Sequence, residues 1–99
     1  NISTEVPSSY SLLQNYPNPF NPKTKIEFEI PKTGLAGYTD VSIRVYDILG
    51  REVTVLVNEK LRPGTYETEF DGTNFSSGVY FYMLRTGNYF ETKKMVLLK

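Results

Sequence analysis

Residues 25–30, KIEFEI, alternate strictly between charged and apolar side chains. Successive side chains of an extended chain point to opposite faces, so Ile26, Phe28 and Ile30 share one face and Lys25, Glu27 and Glu29 the other. A helix would scatter the same apolar residues around its circumference. Pro31 ends the run, because proline cannot donate to a ladder. Downstream the same period returns: Val41, Ile43 and Val45 on one side, Arg44 and Tyr46 opposite, then Val53, Val55 and Val57 in the stretch 52–57.

Turn chemistry separates these runs. Asp47-Ile48-Leu49-Gly50 places Asp first and Gly fourth, which suits a type I turn closing a hairpin with a Gly bulge. Residues 58–63 read as a polar loop, and Gly64 opens a further strand to Phe70. Asp71-Gly72 and Ser77-Gly78 bracket another loop. Residues 79–85 (VYFYMLR) are apolar on both sides, which predicts a central strand with Tyr80, Tyr82 and Leu84 inward. Gly87-Asn88 turns the chain into a closing strand over residues 89–98. Residues 32–40, with Gly34 and Gly37, read as a loop.

Residues 10–22 hold Pro17, Pro19 and Pro22. Each fixes its own φ and extends its predecessor, so the segment is an edge piece and not a central strand. Leu12, Tyr16 and Phe20 are expected to cover one margin of the core. Residues 1–9 are polar and read as a linker from an upstream domain, leaving one domain over residues 10–99. Seven short strands without helical periodicity predict an all-β, immunoglobulin-like antiparallel sandwich, with a small open barrel as the alternative.

Composition narrows the function. Eleven Lys and Arg balance eleven Asp and Glu, so the cation excess that drives nucleic-acid binding is missing. No His and no Cys are present, which removes the usual general base, the commonest metal ligand and thiolate chemistry. No apolar run is long enough to span a bilayer as a helix. The chain starts at Asn1 and shows no signal peptide, so it is expected to be the end of a longer exported protein.

The remaining chemical candidates are thin. Glu27 and Glu29 lie about 7 Å apart on one strand face, a spacing that glycosidase carboxylates also use; the solvent face of any alternating strand yields the same pattern. Asp40, Asp47 and Asp71 sit at strand ends without a calcium-loop spacing. Ser8, Ser9, Ser76 and Ser77 lack an imidazole, and no SxxK motif accompanies them. Tyr38, Tyr66, Tyr89 and Phe75 could form sugar-stacking platforms, although a chain without Trp needs large side chains for its core. Pro19 and Pro22 fit PxxP, but ahead of a packed strand they read as structure. No catalytic residue, cofactor site or metal site is expected.

Five segments taken in order carry a resemblance: YPNPFNP (16–22), VYDILGREV with LVN (45–58), PGTYETEFDG (63–72), SSGVYFYML (76–84) and the closing TKKMVLLK (92–99). Together they resemble the type A C-terminal sorting domain of the type IX secretion system. That domain in turn resembles the immunoglobulin-like module of the flagellar hook-capping protein. The resemblance implies a non-catalytic address label that directs an upstream cargo across the outer membrane to the cell surface or beyond. It implies as partners the type IX translocon and a sortase-like surface peptidase. Removal would fall near residues 1–12, and the processed cargo could join an anionic lipopolysaccharide. The residues it assigns to the signal are Gly78, Val79 and Tyr80, with Lys93, Lys94, Met95, Val96, Leu97, Leu98 and Lys99. A strand at a sheet edge would offer unpaired backbone groups to a receptor. The rival readings are a carbohydrate-binding or structural β-sandwich attached to a secreted enzyme.

Overall fold

A computed structural model describes residues 6–32 and 37–99. The expected loop at Gly34 and the first five residues of the expected linker lie outside the described residues. Among the described residues, seven strands form two antiparallel sheets. Strands β1 (Ser11–Leu12), β2 (Lys23–Ile30) and β5 (Gly64–Asp71) make the first, in the order β1-β2-β5. Strands β3 (Thr39–Tyr46), β4 (Glu52–Leu61), β6 (Gly78–Arg85) and β7 (Phe90–Leu97) make the second, in the order β4-β3-β6-β7. The expectation of a seven-strand antiparallel sandwich is met.

Alternation decides what lies between the sheets. Ile26, Phe28, Ile30 and Phe70 face inward from the first; Val41, Ile43, Val45, Tyr80, Tyr82, Leu84, Met95 and Leu97 face inward from the second. Each buried side chain of this size contributes about 1.5–3 kcal/mol relative to exposure. Phe70 meets Phe20 edge-on at 5.7 Å between centroids. The inward phase expected for Tyr80, Tyr82 and Leu84 is the one found, and β6 is central, between β3 and β7.

The β3–β4 hairpin turns as its sequence predicts. Gly50 N–H donates to the Asp47 carbonyl at 2.9 Å, and Gly50 adopts φ 83°, a backbone conformation that side chains disfavour. The Asp47 carboxylate accepts from the amides of Leu49 and Arg51 and from Arg51 Nε. The Arg51 amide leads the contacts that hold this carboxyl below its ordinary pKa.

Three expectations need correction, the first being that Thr39 and Asp40 of the expected loop 32–40 already belong to β3. Strand β4 does not stop at Val57 but runs on to Leu61, so the first four residues of the expected loop 58–63 are strand. An edge strand with an exposed face accommodates Asn58, Glu59 and Lys60, and register shifts between Ile43 and Arg44 and between Val45 and Tyr46 let it follow β3. Tyr16 does not cover the core. It is 81% exposed, and Asn15 is buried in its place.

Candidate functional site

The two halves of the expected signal, thirteen residues apart in the chain, are hydrogen-bonded neighbours. Gly78 pairs with Leu97, Val79 with Val96 and Tyr80 with Met95, at the end of the sheet where β6 begins and β7 finishes. Cross-strand partners share a face. Tyr80, Met95 and Leu97 therefore enter the core together, while Val79 and Val96 stand side by side on the outer face, half-buried. The next outward pair is Phe81 with Lys94. The Tyr80 hydroxyl donates to Ser76 O at 2.7 Å and so fixes the loop that enters β6.

The three lysines differ. Lys93 Nζ lies 3.4 Å from Glu91 Oε2. Lys99 Nζ donates to Thr73 O at 2.5 Å, and Lys99 N–H donates to Ser77 Oγ at 2.9 Å, tying the last residue back to the loop before Gly78. The Lys94 ammonium has no ion pair or hydrogen bond among the described residues and is exposed. Leu98, four residues further on, is also exposed.

β7 is an edge strand, but half of its edge is taken. Gln14 Nε2 donates to Lys94 O at 2.7 Å, and Val96 N–H donates to Asn18 Oδ1 at 3.0 Å. Phe20 N–H donates to Val96 O, and Leu98 N–H donates to Phe20 O, both at 3.0 Å, as one step of a parallel ladder. Residues 13–20 thus form a strap along the carboxyl half of the strand. The strap is anchored inside: Tyr82 Oη donates to Leu13 O and accepts from Asn15 N–H. Asn15 Nδ2 donates to Pro17 O and to Thr24 Oγ1. The expectation that the terminal strand offers free backbone groups is therefore corrected for Lys94 O, Val96 and Leu98 N.

Farther along β7, Glu91 gathers the entry of the chain. Its carboxylate accepts from Leu12 N–H at 3.2 Å and from the Tyr89 hydroxyl at 2.5 Å. The Tyr89 hydrogen bond, followed by Lys93 and the Leu12 amide, holds the Glu91 carboxyl below its ordinary pKa against a smaller opposing effect of burial. Burial and this carboxylate push the Tyr89 hydroxyl up to about 12. The Tyr89 ring stacks on Tyr10 at 4.8 Å.

With this geometry in place, the comparison with known families is decisive: a family model described as a secretion system C-terminal sorting domain matches residues 14–98. The chain belongs to that family. No curated protein matches it. The sorting domain directs cargo through the type IX secretion system, across the outer membrane, to the cell surface or the extracellular space. The match begins within the strap and ends one residue beyond β7, so β6, β7 and all of the strap after Leu13 lie within it.

Elsewhere the sorting domain disperses the other candidates. Its family is not a catalytic one. Glu29 accepts from Ser11 Oγ at 2.6 Å, and Glu27 stands across from Glu67, which pairs with Lys25 at 3.6 Å. Asp47 and Asp71 are spent within their own turns; the Thr73 hydroxyl leads the contacts that hold Asp71 below its ordinary pKa. Among the described residues no three acidic side chains converge as a metal site would need. Tyr66 stacks on Phe28 and Phe75 packs on Phe70 and Tyr80, so neither is a platform. Tyr38 is half-exposed, but Arg62 lies over its ring at 5.0 Å from the centroid and donates to its hydroxyl. No helix is long and apolar enough to cross a membrane among the described residues.

Sequence reasoning missed the strap's contact with β7. Its hydrogen bonds join residues 78 and 80 positions apart, and no local pattern encodes them.

Proposed function

We propose that the type IX translocon recognises the folded β6–β7 unit, through the outward side chains of Val79, Val96, Phe81, Lys94 and Leu98. The inward members of the signal, Tyr80, Met95 and Leu97, hold that face flat and in register. The observation that carries this reading is the pairing of Gly78, Val79 and Tyr80 with Leu97, Val96 and Met95. Two segments that matter separately in sequence make one surface. The strap favours a side-chain face over strand addition, since a receptor strand would have to displace four hydrogen bonds at the carboxyl half of β7. Lys94 supplies the uncommitted charge that orients an acidic partner.

The surrounding steps follow the resemblance. A linker over residues 1–9 joins the cargo to a domain beginning at residue 10, where Tyr10 stacks on Tyr89. A sortase-like peptidase cutting near residues 1–12 releases the cargo, which can then be joined to an anionic lipopolysaccharide. The kinship with the immunoglobulin-like hook-capping module is supported by the strand order and by the Tyr80 hydroxyl reaching back four residues at the entry of the sixth strand.

Deleting residues 93–99 from a reporter fused to the whole chain, expressed in a bacterium with a type IX system, tests this. Loss of surface reporter supports sorting by the β6–β7 unit, and undiminished export rejects it.

A further inference from the structure

At the opposite end of the same sheet the outer face carries a second constellation, independent of the sorting reading. Val41, Ile43, Val45 and Leu84 point inward, so Asp40, Ser42 and Arg44 on β3 and Arg85 on β6 point outward. On β4, Lys60 stands opposite Asp40 and Asn58 opposite Ser42, which in turn faces Arg85. These six residues border a cleft of about 390 Å³, within the size range of small-ligand sites. Three adjacent strands supply them, so the donors and acceptors are held on a stiff surface before any ligand arrives.

The groups do not satisfy one another. Arg44 holds Glu52 at 3.1 Å, but Asp40, Ser42, Asn58, Lys60 and Arg85 make no side-chain hydrogen bond or ion pair among the described residues. Several charged and polar groups elsewhere on the domain are paired, as in Lys25–Glu67, Arg51–Asp47, Lys93–Glu91 and Ser11–Glu29. The hydroxyl of Thr86, bordering the same cleft, is buried without a partner. Phe90, 69% exposed, is the cross-strand partner of Arg85 and puts an apolar ring next to this end of the sheet.

Interleaved donors and acceptors suit a ligand whose groups do both, as sugar hydroxyls do. A free guanidinium fork suits a carboxylate. An apolar ring suits the C–H face of a pyranose. An extended acidic peptide fits less well: β3 and β6 are interior to the sheet, and the free ladder beside the cleft runs along the outer edge of β4, away from Ser42 and Arg85. We infer that this cleft binds a saccharide bearing a carboxylate, with Arg85 on the acid group and Ser42, Asn58 and Asp40 on the hydroxyls. Arg85 and Val79 are six positions apart on one strand, about 20 Å. The cleft and the sorting face can therefore be occupied together, which would let the domain hold an acidic glycan while it is sorted.

The test is amide chemical-shift mapping of the full chain with trigalacturonic acid, using maltotriose and hexaglutamate as comparison ligands. The expected result is saturable shifts at Ser42, Asn58 and Arg85 with trigalacturonic acid. Affinity should fall about 10-fold or more for either comparison ligand and for Arg85→Ala, whose remaining spectrum should be unchanged. Ser42→Ala, with less change of charge, should weaken binding to a smaller extent. No shifts at millimolar trigalacturonic acid would overturn the inference. So would equal binding of maltotriose or hexaglutamate, shifts centred elsewhere, or an Arg85→Ala protein that binds as before.

Discussion

The hydroxyl of Tyr82 donates to the carbonyl oxygen of Leu13 at 2.7 Å, joining residues 69 positions apart. The Tyr82 hydroxyl oxygen in turn accepts from Asn15 N–H at 2.8 Å. One phenol in the central strand of the larger sheet thus holds the strap that covers the edge of β7. Burial is the main reason its pKa is pushed up to about 12, so it stays neutral and keeps both bonds at physiological pH.

Replacing Tyr82 by Phe should be costly although the ring is retained. Leu13 O and Asn15 N–H would lose their partner in a buried setting, at about 1–3 kcal/mol. In a domain of this size that lowers Tm by several degrees, on the order of 4–8 °C per kcal/mol. A thermal melt unchanged from the parent would show that the strap is not anchored there.

Asn18 should protect one particular amide. Val96 N–H has the Asn18 side chain as its acceptor on the outer edge of β7. In Asn18→Ala, hydrogen exchange at Val96 should quicken by about 10-fold or more, while core amides such as Tyr82 keep their rates. Equal exchange at Val96 in both proteins would mean that the strap lies off the edge in solution.

Gly72 is required by close approach. A Cβ at this position would meet Leu97 Cδ2 at 2.9 Å and Pro22 O at 3.2 Å, and the Gly72 amide already donates to Pro22 O. Leu97 is fully buried and cannot simply swing away. Gly72→Ala should therefore destabilise by about 1–3 kcal/mol, read from urea unfolding, and move the Leu97 methyl resonances. Wild-type stability with unmoved methyls would contradict the packing described.

How much of this was legible beforehand depended on the range of the interaction. The alternation at Ile26, Phe28 and Ile30 and the double-sided apolar run 79–85 revealed both sheets, because strand period and burial are local signals. Asp47 and Gly50 likewise specified their own turn. The pairing of Gly78–Tyr80 with Met95–Leu97 follows from a hairpin whose turn, Gly87-Asn88, was readable. The strap was not: Asn15 is buried because Tyr82 and Thr24 supply partners from elsewhere in the chain, and nothing beside it in sequence announces that. Tyr16 misled for the same reason, its size suggesting core where its neighbour took the place. The outer cleft was invisible because Ser42, Asn58 and Arg85 converge only through the register of three strands.

Acid should loosen the junction between β1 and β7. The folded-state pKa of Glu91 is lowered, so its contribution to stability is fully present above the unfolded carboxyl value. It is lost as pH falls through the folded one. Wild type should exceed Glu91→Gln in urea midpoint at neutral pH, and the gap should close as pH falls below the ordinary carboxylate range. A gap that is constant with pH would assign the difference to packing instead.

The most direct test of the account leaves the terminal residues intact. Val79→Lys changes one outward, half-buried side chain on β6 and nothing in residues 93–99, and Glu69→Lys on the other sheet serves as a control. For reporters fused to the whole chain, with folding of each variant verified by its melt, the surface fraction should fall about 10-fold for Val79→Lys, on the order of 1.4 kcal/mol in recognition. It should stay at the parental level for Glu69→Lys. Parental export by a folded Val79→Lys domain would contradict the claim that two paired strands, rather than the last strand alone, are what the secretion machinery reads.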